Sequence, residues 1–186
     1  TVIPCEGYTH STKYSLILPP SPNLKDMRAV YLYSSTCFFE GTEVSLGRGT
    51  DHPFEMYGHP DMKGCDFSFT PRSVPGAKNP PLLDRLCYGV DLSSKPLEEI
   101  FSEKVNLEYV IHAYSNLGIG EDFFLKNGFF NLLTGTRRVK AEIMEGKSAD
   151  EIRVWWENDV KEFKEKRKIC LTGKNKNIID IAPYKC

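Results

Sequence analysis

The second half of the chain repeats apolar residues at intervals of three and four, a spacing that predicts helices. A short helix is predicted over 97–104, a second ends near Gly118, and a third ends at Gly146. Ser148 and Glu151 have the spacing of a capping box, which predicts the start of the clearest helix in the chain. The apolar face of that helix is predicted to contain Ile152, Trp155 or Trp156, Val160 and Phe163.

The first half has shorter periodic segments separated by irregular loops. Alternation of apolar and polar residues predicts strands at 14–18, 66–70 and 86–92. Ser21 and Pro22 are typical of a helix N-cap and first helical position, so a helix is predicted from there to about Thr36. We therefore expect an α+β fold with a small mixed sheet from the N-terminal half and helices from the C-terminal half packed against it.

Composition excludes several classes of function. The 186 residues suffice for one domain with a real core. Lys and Arg number 24 against 25 Asp and Glu, so no strong overall charge is available to attract nucleic acid or anionic lipid. No apolar run approaches the length of a membrane span.

The cysteines and histidines do not predict a metal site or a cofactor. The six cysteines contain no C-x-x-C pair, so a structural zinc site is not expected, and buried free thiols are favoured over three disulfides. The four histidines are scattered without a ligand spacing.

The segment 40–60 concentrates special residues and has no periodicity. Gly47 and Gly49 flank Arg48, so the backbone can adopt positive φ and a ligand can approach its amides. The guanidinium suits a carboxylate or phosphate, and Thr50 and Asp51 add a hydroxyl and a carboxylate on the same turn. The pattern is neither a dinucleotide fingerprint nor a P-loop, because the third glycine and the G-K-[ST] run are missing.

Two interpretations of this segment remain open from the residues alone. Arg48 could pair with Glu40 or Asp51 and simply hold the loop. If Glu40 is partly buried, its raised pKa would suit a general acid, although a salt bridge to Arg48 is equally consistent. Another set of residues could line a carbohydrate cleft or pack a loop: His52, Phe54, Tyr57 and His59.

Several runs occur together in a specific order. They are Pro20-Ser21-Pro22-Asn23-Leu24, Phe39-Glu40-Gly41-Thr42, Ser45-Leu46-Gly47-Arg48-Gly49-Thr50-Asp51-His52-Pro53-Phe54, Gly58-His59-Pro60, Phe69-Thr70-Pro71 and Pro75-Gly76-Ala77-Lys78-Asn79-Pro80-Pro81. In these runs the chain resembles the C-terminal part of the NamZ-type exo-β-N-acetylmuramidases, glycoside hydrolases of bacterial peptidoglycan turnover. We accordingly expect a NamZ-like C-terminal domain over 1–170 and a flexible tail over 171–186.

The resemblance implies a larger N-terminal Rossmann-like domain that carries the proposed catalytic glutamate, with the active site in a cleft between the two domains. The implied partners are muramic acid saccharides from peptidoglycan and that N-terminal domain. Family members act on wall fragments, which implies a periplasmic or extracellular location. The isolated chain is expected to lack part of the catalytic machinery.

The resemblance also assigns roles to individual residues. N-acetylmuramic acid carries a lactyl carboxylate that N-acetylglucosamine lacks, so a cation in the cleft would distinguish the two sugars. Arg48, held by Gly47 and Gly49, is the candidate receptor for that carboxylate. The other candidate residues are Thr50, Asp51 and Asn23 for substrate binding and Glu40 as a helper carboxylate. The alternative function is a non-catalytic interaction or glycan-binding module.

Overall fold

The computed structural model describes residues 6–7, 12 and 14–171, with side chains described as far as residue 168. In this part of the chain the helices are α1 (Met27–Thr36), α2 (Leu97–Glu103), α3 (Glu108–Leu117), α4 (Phe129–Thr134), α5 (Arg138–Met144) and α6 (Ala149–Leu171). The strands are β1 (Met56–His59), β2 (Phe67–Phe69) and β3 (Cys87–Asp91), and Cys37–Gly41 and Gly120–Phe123 form short 3-10 helices. The α+β prediction is confirmed, whereas the predicted tail lies beyond the described residues except for its first position.

The sheet is small, and both of its described strand pairings are antiparallel, whereas the sequence led us to expect a mixed sheet; alternation predicts a strand but not the direction of its partner. Strand β3 lies in the centre, with β1 on one side and β2 on the other. The strands predicted at 66–70 and 86–92 are β2 and β3. Strand β1 was not predicted, because all four of its residues are buried and it therefore shows no alternation of apolar and polar positions.

The two faces of the sheet contact different apolar clusters. Tyr57 belongs to the main core, where its ring stacks on Phe39 with centroids 4.8 Å apart. Its neighbour Met56 points to the other face and joins a small cluster with Phe69 and Cys87. Successive side chains of a strand point to opposite faces, which explains the division. The main core continues into the buried faces of α1, α3, α5 and α6.

Helix α1 begins later than the sequence predicts. The carboxylate of Asp26 accepts a hydrogen bond from the Ala29 amide at 2.9 Å and caps the helix. Ser21 is engaged in a local turn instead, because its hydroxyl accepts the Asn23 amide at 3.3 Å. Ser21 and Asp26 are both residue types that cap helices well. Asp26 is the N-cap because its carboxylate accepts a free amide of the first turn, whereas the Ser21 hydroxyl accepts an amide outside the helix. The predicted end at Thr36 is confirmed.

The strand predicted at 14–18 is wrong. These residues pair with no strand among the described parts of the chain. Ile17 and Leu18 are 86% and 76% exposed, so their apolar side chains find no sheet face to pack on. Alternation in the sequence was therefore not sufficient for a strand without a partner strand beside it.

The C-terminal helices follow the sequence pattern closely. Gly118 ends α3 in the left-handed conformation. The capping box at α6 is formed, with the Ser148 amide donating to Glu151 at 2.8 Å and the Glu151 amide donating to the Ser148 hydroxyl at 3.3 Å. Ile152 is completely buried, but Phe163 is 64% exposed because α6 extends past the rest of the described core, so its predicted burial is wrong.

Glu142 of α5 is a buried carboxylate that links α5 to α6. It accepts hydrogen bonds from Arg138 at 2.9 Å, Lys147 at 3.1 Å and the Trp155 indole at 2.8 Å. Burial alone would raise its pKa, but these donors outweigh that effect and hold the pKa below its usual range. Trp155 and Trp156 pack at the edge of the core, as expected.

The described cysteines are Cys37 and Cys65, which are half-buried free thiols, and Cys87, which is a buried one. Within the described residues no three His, Cys, Asp or Glu side chains are grouped so as to hold a metal ion. None of the helices described is long and apolar enough to cross a membrane.

Candidate functional site

A cavity of about 550 Å³ opens beside the 3-10 helix Cys37–Gly41. One wall comes from Glu40 and the loop that follows it, and the opposite wall comes from the segment 76–82. Phe129 at the start of α4 contributes an apolar side chain. The volume of the cavity is within the range of small-molecule sites, and the cavity lining combines apolar walls with a few charged groups.

The central polar feature of this cavity is an ion pair between Glu40 and Arg48. Nη2 of Arg48 lies 2.8 Å from Oε2 of Glu40, and the two side chains are 29% and 23% exposed, respectively. The guanidinium carbon lies 5.1 Å from the centroid of the Phe54 ring. Partial burial and the aromatic face make this pair stronger than an ordinary surface ion pair.

The ion pair leaves N–H donors of the Arg48 guanidinium available. Among the described residues, the hydrogen bond to Glu40 is the one side-chain hydrogen bond of Arg48. A guanidinium has five N–H donors, so Arg48 retains the capacity to bind a second carboxylate. Arg48 thus combines the two interpretations that the sequence left open: it pairs with Glu40 and it lines a cavity that a ligand can enter.

Gly49 has a structural reason to be glycine. Its φ is +84°, and its carbonyl accepts the Arg72 amide at 2.9 Å. A Cβ at this position would overlap the carbonyl oxygen of Arg72 and lie 2.7 Å from Cγ of Pro80. The residue therefore allows Arg72 and Pro80, the latter a lining residue of the cavity, to approach the arginine loop closely.

The chain matches the family "Exo-beta-N-acetylmuramidase NamZ, C-terminal" over residues 31–172. The chain belongs to this family. It is 32% identical over 169 residues to the peptidoglycan beta-N-acetylmuramidase NamZ of Bacillus subtilis, covering 84% of this chain and 40% of that protein. The resemblance inferred from the sequence motifs is thereby confirmed.

A solved structure extends the comparison to the fold. The crystal structure of a DUF1343 family protein from Bacteroides fragilis superposes with a TM-score of 0.87 at 58% identity. The match covers 90% of this chain and 47% of that one. The chain thus spans less than half the length of both of these proteins.

The remaining residues predicted to bind substrate are not among the residues that line the cavity. In this NamZ-family domain the Gly47 carbonyl accepts both the amide and the hydroxyl of Thr50, at 3.1 and 2.7 Å. The Asp51 side chain is fully exposed, 4.0 Å from the ammonium of Lys25. The structure thus gives Gly47 and Thr50 a role in the turn itself, and their contact with substrate stays a prediction, as does that of Asp51.

Asn23 has a position that its sequence context did not reveal. Its side chain is 9% exposed, and Nδ2 donates to the Gly76 carbonyl at 3.1 Å. This hydrogen bond holds a loop, and contact of Asn23 with substrate stays a prediction. Asn23 therefore fixes the segment that forms the far wall of the cavity.

The aromatic residues and one of the two histidines after the arginine loop pack into the protein. Phe54, Tyr57 and His59 are buried, His52 is exposed, and the cavity lining includes none of these four. His52 lies 3.5 Å from the buried carboxylate of Glu55, whose pKa is raised, chiefly by burial. Phe54, Tyr57 and His59 therefore pack within the fold and do not line this cavity.

Sequence reasoning missed the residues of the far wall. Lys78 and Asn79 line the cavity, but in the sequence they belonged only to an irregular Pro-rich and Gly-rich loop. The preserved order of the family runs was the one available signal, because it includes both the arginine loop and the run containing Lys78. That signal did not indicate that the two loops face each other.

A thiol close to the site is not a nucleophile. Burial, followed by the negative charge of Glu40, raises the pKa of Cys37 to about 12. The thiolate is the reactive form of cysteine, and at neutral pH Cys37 is protonated. The ionised groups that line the cavity, rather than Cys37, are therefore the ones that can bind or polarise a substrate.

Proposed function

We propose that this chain is the C-terminal domain of a peptidoglycan exo-β-N-acetylmuramidase and that its cavity forms part of the cleft for a terminal N-acetylmuramic acid residue. Membership of the NamZ C-terminal family and the name of the Bacillus relative support the hydrolase class. The observation that carries the proposal is the Glu40–Arg48 pair in the wall of an open cavity. As the substrate is a wall fragment, the proposed location is periplasmic or extracellular.

In this proposal Arg48 binds the lactyl carboxylate. The carboxylate distinguishes muramic acid from glucosamine, and a site built for a charged group rejects an analogue that leaves its own charge unmatched. Glu40 orients the guanidinium at 2.8 Å. The proposed contributions of Gly47, Gly49, Thr50, Asp51 and Asn23 are then to shape and hold the loops around Arg48.

The catalytic acid is proposed to come from outside this chain. Glycosidases generally use two carboxyl groups that flank the scissile bond. The carboxylates that line this cavity are Glu40 and Glu43, and Glu40 is already paired with Arg48. We assign Glu40 a helper role, and we assign general acid catalysis to the N-terminal domain implied by the greater length of the relatives.

Turnover of a chromogenic N-acetylmuramic acid glycoside tests the proposal. We expect no turnover by this chain alone and turnover when the N-terminal domain is joined to it. In that longer protein, Arg48→Ala should reduce kcat/KM for muramic substrates about tenfold or more while sparing glucosamine substrates, since a charged hydrogen bond contributes about 1.5–3 kcal/mol. Arg48→Lys is the control that retains the charge.

Equal loss of both activities in Arg48→Ala would show that the arginine only supports the fold. The alternative, a non-catalytic glycan-binding module, is consistent with the same limited coverage of the relatives. It predicts that Arg48→Ala and Glu40→Gln change glycan binding but leave the kcat of the longer protein unaltered. Loss of kcat in Glu40→Gln at unchanged KM would instead support the helper role.

A further inference from the structure

A second cationic side chain, that of Lys78, lines the cavity in addition to Arg48. The charged residues that line the cavity are Glu40, Glu43, Arg48 and Lys78. Arg48 is matched by Glu40 at 2.8 Å. By contrast, within the part of the chain that the structure describes, Lys78 makes no ion pair and no side-chain hydrogen bond. Among the described residues, Lys78 is therefore the cation of this cavity that forms no ion pair with a carboxylate.

The fold holds the backbone that carries Lys78. Val74 and Ala77 exchange two backbone hydrogen bonds of 3.1 and 2.9 Å, which close a turn directly before Lys78. The nearly buried Asn23 side chain anchors the same turn through the Gly76 carbonyl at 3.1 Å. A lysine on an anchored turn loses less freedom on binding than one on a free loop, because its backbone is already ordered.

The charges explain why Arg48 alone is insufficient. A ligand carboxylate that contacted only Arg48 would share that cation with Glu40, so the three groups together would carry one excess negative charge. The exposed Glu43 adds to this repulsion. A second cation in the same cavity offsets the excess, and Lys78 is the lining residue with an ammonium group to do so.

We propose that Lys78 is a specificity-determining residue whose ammonium group, together with Arg48, binds the carboxylate of an anionic amino sugar in this cavity. This inference rests on the proposed function and adds a residue to its recognition step. In it, Asn23 and Gly49 are positioning residues, because they fix the wall that carries Lys78 and do not line the cavity.

Binding of three ligands to the chain tests the inference without requiring catalysis. The ligands are N-acetylmuramic acid, its neutral methyl ester and N-acetylglucosamine, titrated by NMR chemical-shift perturbation. We expect the wild type to prefer the acid. Lys78→Gln should weaken acid binding about fivefold, the upper end for an exposed ion pair, and leave ester binding unchanged. Added salt should reduce the acid preference by screening.

Two variants serve as controls. Lys78→Arg should retain the acid preference, because it keeps the charge on the same turn. Lys63→Gln removes an exposed lysine outside the cavity lining and should leave all three affinities unchanged. An unchanged thermal midpoint for each variant shows that the fold is intact.

Each outcome has a defined meaning. Acid binding that is equally tight in Lys78→Gln and wild type, while wild type still prefers the acid, overturns the role of Lys78 and leaves the proposed function standing. A wild type that binds acid and ester equally contradicts the carboxylate recognition of the proposed function itself. A wild type that binds neither overturns the inference, because Arg48 and Lys78 of this chain would then not suffice to hold the carboxylate. A loss of both acid and ester binding in Lys78→Gln shows a steric role and overturns the charge argument.

Discussion

Replacing Gly49 by alanine should destabilise the protein by about 2–5 kcal/mol. Alanine at a φ of +84° costs about 1–2 kcal/mol. The added Cβ would also overlap the Arg72 carbonyl oxygen and lie 2.7 Å from Cγ of Pro80, and overpacking of this kind costs about 1–3 kcal/mol. Arg72 and Pro80 would have to move away from the arginine loop to relieve this overlap.

Gly64 provides a matched control. Its φ is +68°, but a Cβ there would meet nothing within 4 Å. Gly64→Ala therefore incurs the backbone strain without the collision. Urea denaturation followed by circular dichroism gives the free energy of unfolding for both variants, and similar m-values would confirm that the same surface is exposed on unfolding.

We expect Gly49→Ala to be less stable than Gly64→Ala by about 1–3 kcal/mol, the cost of overpacking alone. If the two variants agree within about 0.5 kcal/mol, the range of a neutral surface change, the close approach of Arg72 does not explain why position 49 is glycine. Access of a ligand to the backbone amides, as the sequence alone indicated, would then be the better explanation.

Three further predictions follow from buried groups. Glu142→Ala should lower the free energy of unfolding by about 1–3 kcal/mol in urea denaturation, since it leaves Arg138 and the Trp155 indole without this acceptor while Lys147 keeps Glu145, whereas Ala at the exposed Glu145 should cost under about 1 kcal/mol. Because the folded pKa of Glu142 is lowered, its stabilisation is present above the unfolded value of about 4.3 and is lost as the pH falls through the folded value; a pH series of denaturation curves in which Glu142→Gln shows the same acid dependence as wild type would contradict this. Burial raises the pKa of Cys37 to about 12 and of Cys87 to about 11, so mass spectrometry should find both unmodified after a brief iodoacetamide treatment at pH 8 that alkylates them in urea.

The amino-acid sequence by itself determined most of the helical half. Gly118 ends its helix, and Ser148 and Glu151 form the capping box, because each of these signals acts on backbone groups within one turn. The ordered family runs likewise identified the family without knowledge of the fold. The exposure of Phe163 could not be predicted in this way, since helical spacing defines an apolar face but not whether another element covers that face.

The tertiary structure alone decided how the sheet and the cavity are assembled. Strand β1 exists because β3 lies beside it, whereas the segment 14–18 has the pattern of a strand but pairs with no strand among the described residues. In the same way, Arg48 had two carboxylates in reach along the chain, and folding brought Glu40 within 2.8 Å of it while leaving Asp51 in solvent. Lys78 comes to the same cavity from thirty positions further along the chain. Contacts of this kind depend on how separate segments pack, which local residue patterns do not encode.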